Sequence, residues 1–254
     1  MAEHLSNTDQ LELLRRQGFV VVPGLLNVER CDTVKHTARA ELAQLAGPVE
    51  FEADLHYPGA PRSHDAPGGR TVRRLLDAYA RSALYRQWAT SVEIRSWMKL
   101  YFGEQVVLSR AHHNSMMTKH PAYGSLTGWH RDIRYWAFER EALVSVWLAL
   151  GPETVENGAL WFVPGSHTID FAPECFDDAK FFRTDVPENA ALIRTAISPT
   201  LQAGDVVFFH CNTLHSAGKN LTGDVKFSLV FTYHGVSNAP VPGTRSAARP
   251  GVPL

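Results

Sequence analysis

His130 and Asp132, two positions apart in GWHRDIRYW (residues 128 to 136), can offer an imidazole nitrogen and a carboxylate oxygen to one metal ion. On an extended strand, side chains two apart point to the same face, so the two would meet with Arg131 turned away. A pair is not yet a site. With 12 histidines and 26 acidic residues, chance supplies about one such spacing. A firm hold needs a third ligand from a distant strand, and His215 in HCNTLHSAGKN stands just after the β-type run DVVFFH. Two histidines and one carboxylate on one face of an octahedron would leave three positions open, which suits iron(II) and dioxygen chemistry. The same ligands around zinc with a bound water would serve hydrolysis, although no HExxH helix accompanies them.

Other ligand sets are poorer. Cys211 lies beside His210 and near His215, but no second cysteine stands near enough to complete a zinc-thiolate site. His167 closes the run PGSH, His210 ends a strand unpaired, and His120 precedes Pro121 in a loop, so all three read as structural or surface histidines. Cys31, Cys175 and Cys211 are few and widely spaced, which fits free thiols in a reducing compartment.

The elements that must position the ligands divide the chain in two. SNTDQLELLRRQGF reads as a capped amphipathic helix ending at Gly18, followed by the strand FVVV, a second helix over 28 to 46, and a Pro-, Gly- and His-rich loop over 49 to 70. Residues 71 to 102 carry a helical stripe of Leu75, Leu76, Tyr79, Leu84 and Trp88, and the basic cluster Arg70, Arg73 and Arg74 reads as a solvated helix face, with contact to an anionic substrate group as the alternative. After Gly103 the character changes. QVVLSRAHHNSMM, EALVSVWLAL, GALWFV, ALIRTAIS, DVVFFH and VKFSLVFTYH are short β-type runs. Helices followed by strands predict one α+β domain over 1 to 254. Its helical part is about 1 to 102, an antiparallel sandwich or barrel follows to about 236, and a loose tail runs from 237 to 254.

WHRD at 129 to 132, ENGALWFVPGSH at 156 to 167, LQAGDVVFFH at 201 to 210 and the distal His215 resemble the phytanoyl-CoA dioxygenase family of iron(II)- and 2-oxoglutarate-dependent oxygenases. The likeness spans nearly the whole chain and includes the opening GFVVVPGLL. It implies a mainly β fold, a double-stranded β-helix or cupin-like jelly-roll barrel flanked by N-terminal helices. The iron would sit at the mouth on His130, Asp132 and His215, with 2-oxoglutarate and O2 as co-substrates. The family usually holds the far carboxylate of 2-oxoglutarate with an arginine ten or eleven residues after the distal histidine. Lys226 stands at that place here, and a lysine is a point charge rather than a bidentate fork. Period-two counting puts Ser228 and Thr232 on the same face as Lys226. Ala217 is a second departure, where relatives often carry a hydroxyl residue. A carboxylate at Asp132 favours hydroxylation over halogenation, which needs a small residue there.

Parity alone suggests further lining. Trp147 shares a face with Ser145 and could wall the co-substrate pocket, and Asn114, on the face of His112 and opposite His113, could bond co-substrate or substrate. Tyr135 and Arg70 are candidate substrate contacts, with the 49 to 70 loop as a lid. A net charge of −1 without a basic run argues against a nucleic-acid partner, and no apolar run reaches membrane-spanning length. The polar N-terminus lacks a signal peptide's pattern, which leads to the expectation of a cytoplasmic protein. The function expected is oxidation of a C–H bond in a small metabolite or natural product. The rival from another class is a catalytically silent barrel that binds or senses, favoured if Lys226 and Ala217 mark the loss of co-substrate.

Overall fold

The computed structural model describes residues 5 to 55, 57 and 59 to 254. Positions 1 to 4 of the N-terminal stretch, and 56 and 58 of the loop, lie outside the described residues. In chain order the elements are α1 (Asn7–Gln17), β1 (Phe19–Val22), α2 (Val28–Ala43), β2 (Val49–Phe51), β3 (Val72–Leu76), α3 (Ala78–Arg81), α4 (Ala83–Ala89) and α5 (Val92–Phe102). There follow β4 (Val106–Ser109), β5 (Ser115–Lys119), β6 (Thr127–His130), β7 (Leu143–Ala149), β8 (Leu160–Phe162), α6 (Pro187–Ile193), β9 (Val206–His210), β10 (His215–Ala217), β11 (Lys226–Gly235) and β12 (Val252–Pro253).

The first helix forms as its sequence suggests. Ser6 caps it in a reciprocal box with Asp9, and Gly18 ends it at a φ of 82°. That glycine is required twice, because a Cβ there would also stand 2.5 Å from Thr213 Oγ1 and His167 Nδ1. Through Gly18 the helix end is tied to the late strands, its carbonyl accepting from the Thr213 hydroxyl at 2.7 Å.

Two antiparallel sheets make the barrel. The large one runs β1-β9-β7-β11-β5-β3-β2, with β4 and β12 added beside β11, and the small one runs β6-β10-β8. The central strands β7 and β11 are buried on both faces. One face sends Val144, Val146, Leu148, Phe227, Leu229, Phe231 and Tyr233 into the core under the helices, where Trp88, Trp97 and Leu14 pack. The other face sends Ser145, Trp147, Lys226, Ser228 and Thr232 into the barrel. Period-two alternation in two adjacent strands therefore separates the packing core from the polar interior. This is the mainly β jelly-roll expected.

Four local expectations are corrected. Residues 72 to 76 are a strand, paired with β2 and β5, so Arg73 and Arg74 lie in a sheet and not on a solvated helix face. The helical spacing of Leu75 and Tyr79 misled because two free sheet edges outbid local pattern here. Of ALIRTAIS, residues 191 to 193 end helix α6, opened by Pro187, and Ile197 makes one isolated bridge to Phe162. The 49 to 70 stretch contains β2 and a 3-10 turn over Glu52–Asp54. The tail is not loose: β12 pairs with β4, and the buried Ser246 bonds His112 and the Ala137 amide.

Candidate active site

Strand β6 ends at His130 and β10 begins at His215, and the two are register partners in the small sheet. Asp132 follows in a 3-10 turn rather than on the strand, yet the turn still brings its carboxylate to the imidazoles. Its Oδ1 lies 3.6 Å from His130 Nε2 and 3.5 Å from His215 Nε2. One ligand atom from each of the three residues falls within 4.8 Å of the others, and all three residues are buried.

The surroundings orient each ligand. His130 Nδ1 bonds the Gly128 carbonyl at 2.8 Å and His215 Nδ1 bonds the Thr213 carbonyl at 2.9 Å. A carbonyl can only accept, so each Nδ1 carries the proton and each Nε2 presents a lone pair. Burial, reinforced by His130, lowers the pKa of His215 to about 4, which keeps that imidazole neutral. The Ser145 hydroxyl donates to Asp132 Oδ2 at 3.1 Å, and His113 Nδ1 lies 3.3 Å from the same oxygen. Oδ1 is buried with no hydrogen-bond partner. Burial alone would raise this carboxyl, but the facing imidazoles of His113, His215 and His130 hold it well below the usual carboxylate range. An ionised, buried, unpartnered oxygen between two lone pairs is a donor set that fits a divalent cation such as iron(II).

Deeper in the barrel lies a small cavity of about 30 Å3, lined among others by Arg73, Lys119, Thr127, Trp147, Lys226 and Ser228. Lys226 is not free within it. Its Nζ is 2.8 Å from Glu153 Oε2, while Ser228 Oγ at 2.5 Å and Trp147 Nε1 at 3.0 Å both donate to Glu153 Oε1. Glu153 is fully buried. Across the cavity, Arg73 is 3.2 Å from Glu52 Oε2 and donates to Ser125 and Thr127. Lys119 sits beside Lys226 on the neighbouring strand and, among the described residues, its amine bonds only a neutral group, the Ser125 carbonyl at 2.7 Å. Burial, with Arg73 and Lys226 adding repulsion, pushes its pKa well below the ordinary lysine value.

The model of the phytanoyl-CoA dioxygenase (PhyH) family matches residues 14 to 228. The chain belongs to that family. Among its relatives, ectoine dioxygenase of Halomonas elongata is 27% identical over 95% of this chain and 74% of its own length. Human peroxisomal phytanoyl-CoA dioxygenase is 24% identical over 84% of this chain and 64% of its own length. Among solved structures, the epimerase SnoN from nogalamycin biosynthesis, with Fe3+, α-ketoglutarate and nogalamycin RO, superposes with a TM-score of 0.74 at 25% identity, covering 98% of this chain and 95% of SnoN. EctD from S. alaskensis with 2-oxoglutarate and 5-hydroxyectoine gives 0.75 at 21% identity, covering 100% and 87%. As a member of this family, the chain is an iron(II)- and 2-oxoglutarate-dependent oxygenase, with O2 as the oxidant.

Within the family frame, the remaining expected residues fall in different places. Tyr135 is at the metal corner, its ring centre 6.0 Å from that of His130 and its hydroxyl 3.0 Å from that of Tyr57. Trp147 and Ser228 line the small cavity, but their polar atoms are given to Glu153. Ala217 reaches that cavity. Asn114 accepts from the Tyr79 amide and donates to Asp77, holding the start of α3, and it also lines a larger cavity beside His113. The chain bends before β5, so it is His113 that faces Asp132. Arg70 is exposed. Sequence reasoning missed His113, Glu153, Lys119 and Tyr57, and had Arg73 only as one of a basic cluster. Only Glu153 had a signal, because a lysine in an apolar alternating strand needs a buried counter-charge somewhere.

Proposed function

We propose that the enzyme oxidises a C–H bond of a small metabolite or natural product, inserting one atom of O2 as hydroxyl. What carries this is the orphaned Asp132 Oδ1 set between two imidazoles whose protons are committed elsewhere. Bound there, iron(II) with 2-oxoglutarate and O2 supplies a two-electron oxidation in which the co-substrate leaves as succinate and CO2. The protein's own part is orientation and exclusion of water. His130 and His215 are held as neutral donors. Ser145 and His113 steady the far oxygen of Asp132 so that the near one points inward. The Tyr57–Tyr135 hydroxyl pair and Phe181, whose ring meets both Tyr57 and His130, form an aromatic wall beside the metal.

The far carboxylate of the co-substrate has its natural place in the small cavity. Three basic side chains, Arg73, Lys119 and Lys226, meet there against two carboxylates, Glu52 and Glu153. Lys226 is answered by Glu153 and Arg73 by Glu52, so the amine left to take a further carboxylate, and to be held charged by it, is Lys119. The pairing of Lys226 with Glu153 is also the one observation that favours a silent barrel. The test is anaerobic addition of iron(II) and 2-oxoglutarate to metal-free protein, read by the visible charge-transfer band of the chelate. A band in wild type that is lost in His130→Ala is expected. Its absence in wild type would overturn the oxygenase reading in favour of the silent barrel.

A further inference from the structure

A larger cavity, of about 360 Å3, opens where the turn before β5 meets the C-terminal segment. His113 lines it, so a molecule filling this cavity touches the residue that braces Asp132 Oδ2. The charges around it do not balance. Four arginines and two carboxylates face it, and two of the arginines are answered: Arg74 by Glu50 at 3.0 Å, and Arg249 by Asp77 at 2.9 Å. Among the described residues no carboxylate pairs with the other two, Arg110 and Arg245. The Nε of Arg110 is buried with no hydrogen-bond partner, and its guanidinium rests over the Tyr79 ring, 5.6 Å from the centre. Arg245 stands exposed on the C-terminal segment at the rim of the cavity, and its neighbour Ser246 pins that segment to His112 Nε2 and the Ala137 amide, at 2.8 Å each.

The geometry points to a substrate with an anionic group, and we propose that Arg110 and Arg245 bind a carboxylate or phosphate monoester in this cavity. No metal ligand itself lines the cavity, so such a substrate would meet the metal corner through His113, which stands 3.3 Å from Asp132 Oδ2. This rests on the oxygenase reading above and narrows its substrate class. A guanidinium matches either oxyanion with paired N–H donors, whereas an amine or a neutral amide would leave two like charges facing each other across the cavity. The C-terminal segment thereby becomes part of the substrate site.

The test is calorimetric titration of the full chain, held anaerobically with iron(II) and 2-oxoglutarate, against four probes on one skeleton: hexanoate, hexyl phosphate, hexanamide and hexylamine. At least one of the two anions should bind, and the amide and amine should not. Which anion binds more tightly distinguishes a carboxylate from a phosphate substrate. Arg110→Gln and Arg245→Gln should each weaken the anion at least about tenfold, the loss expected for one charge-assisted contact. Both should leave the iron–2-oxoglutarate band unchanged. Equal binding of the amide or amine, no binding by any probe, or unchanged affinity in both variants would overturn the proposal. Absence of the band itself would strike the oxygenase reading instead.

Discussion

The metal corner and the Glu153 corner are both buried, both centred on one carboxylate, and opposite in completeness. At Asp132 one oxygen accepts from the Ser145 hydroxyl, with His113 Nδ1 at 3.3 Å, and the other has no hydrogen-bond partner. At Glu153 three donors converge, and both oxygens are bonded. Burying an ionised carboxylate is costly unless something answers it, so the first arrangement calls for a cation from outside the chain and the second has its cation built in. The difference shows which part of an active site is waiting for a ligand and which part is already structure.

Removing a ligand at the open corner should have the largest effect. Asp132→Ala or His215→Ala is expected to abolish both the iron–2-oxoglutarate band and succinate release, with the fold kept by circular dichroism. At the closed corner the damage should fall on stability. Glu153→Ala strands a buried lysine and should cost about 3–5 kcal/mol in urea unfolding. Adding Lys226→Met should restore most of that loss, and failure to restore it would mean that Glu153 does more than answer Lys226. If Lys119 is the remaining cation, Lys119→Met should weaken 2-oxoglutarate binding roughly tenfold to a hundredfold. The paired change Lys226→Met with Glu153→Gln should alter it far less. The reverse ranking would return the role to Lys226. Ser145→Ala, which loosens Asp132 without removing a ligand, should lower iron affinity about tenfold in a chelator competition.

A further effect is with pH. Burial lowers the pKa of His112 to about 3 and that of His210 to about 4, from an ordinary 6.5. Between those values and 6.5 the unfolded chain holds protons that the folded one refuses, so the metal-free protein should lose stability as pH falls through that window. A flat profile there would place these imidazoles in contact with water.

Much of the site was legible in one dimension. Side chains two apart on β7 and β11 share a face, and this alone put Ser145 with Trp147, and Lys226 with Ser228 and Thr232, on one wall of the barrel. His130, Asp132 and His215 could be read together once a third ligand was required of a distant strand. The arginines of β3 were misread because a short VRRLL run carries no pattern that separates a strand from a helix turn. The tail was misread because its anchors, Ser246 on His112 and Val252 beside Leu108, are pairings across more than a hundred residues.

By itself the sequence determined which residues could bind a metal, and which faces of the long strands would be polar, since both follow from residue type and a fixed period along the chain. Only the tertiary structure decided where the charges end. Glu153 reaches Lys226 across 73 residues, and Arg245 joins Arg110 at one cavity. Whether a buried charge is answered within the chain or left for a ligand depends on distances of a few ångströms between segments far apart in sequence.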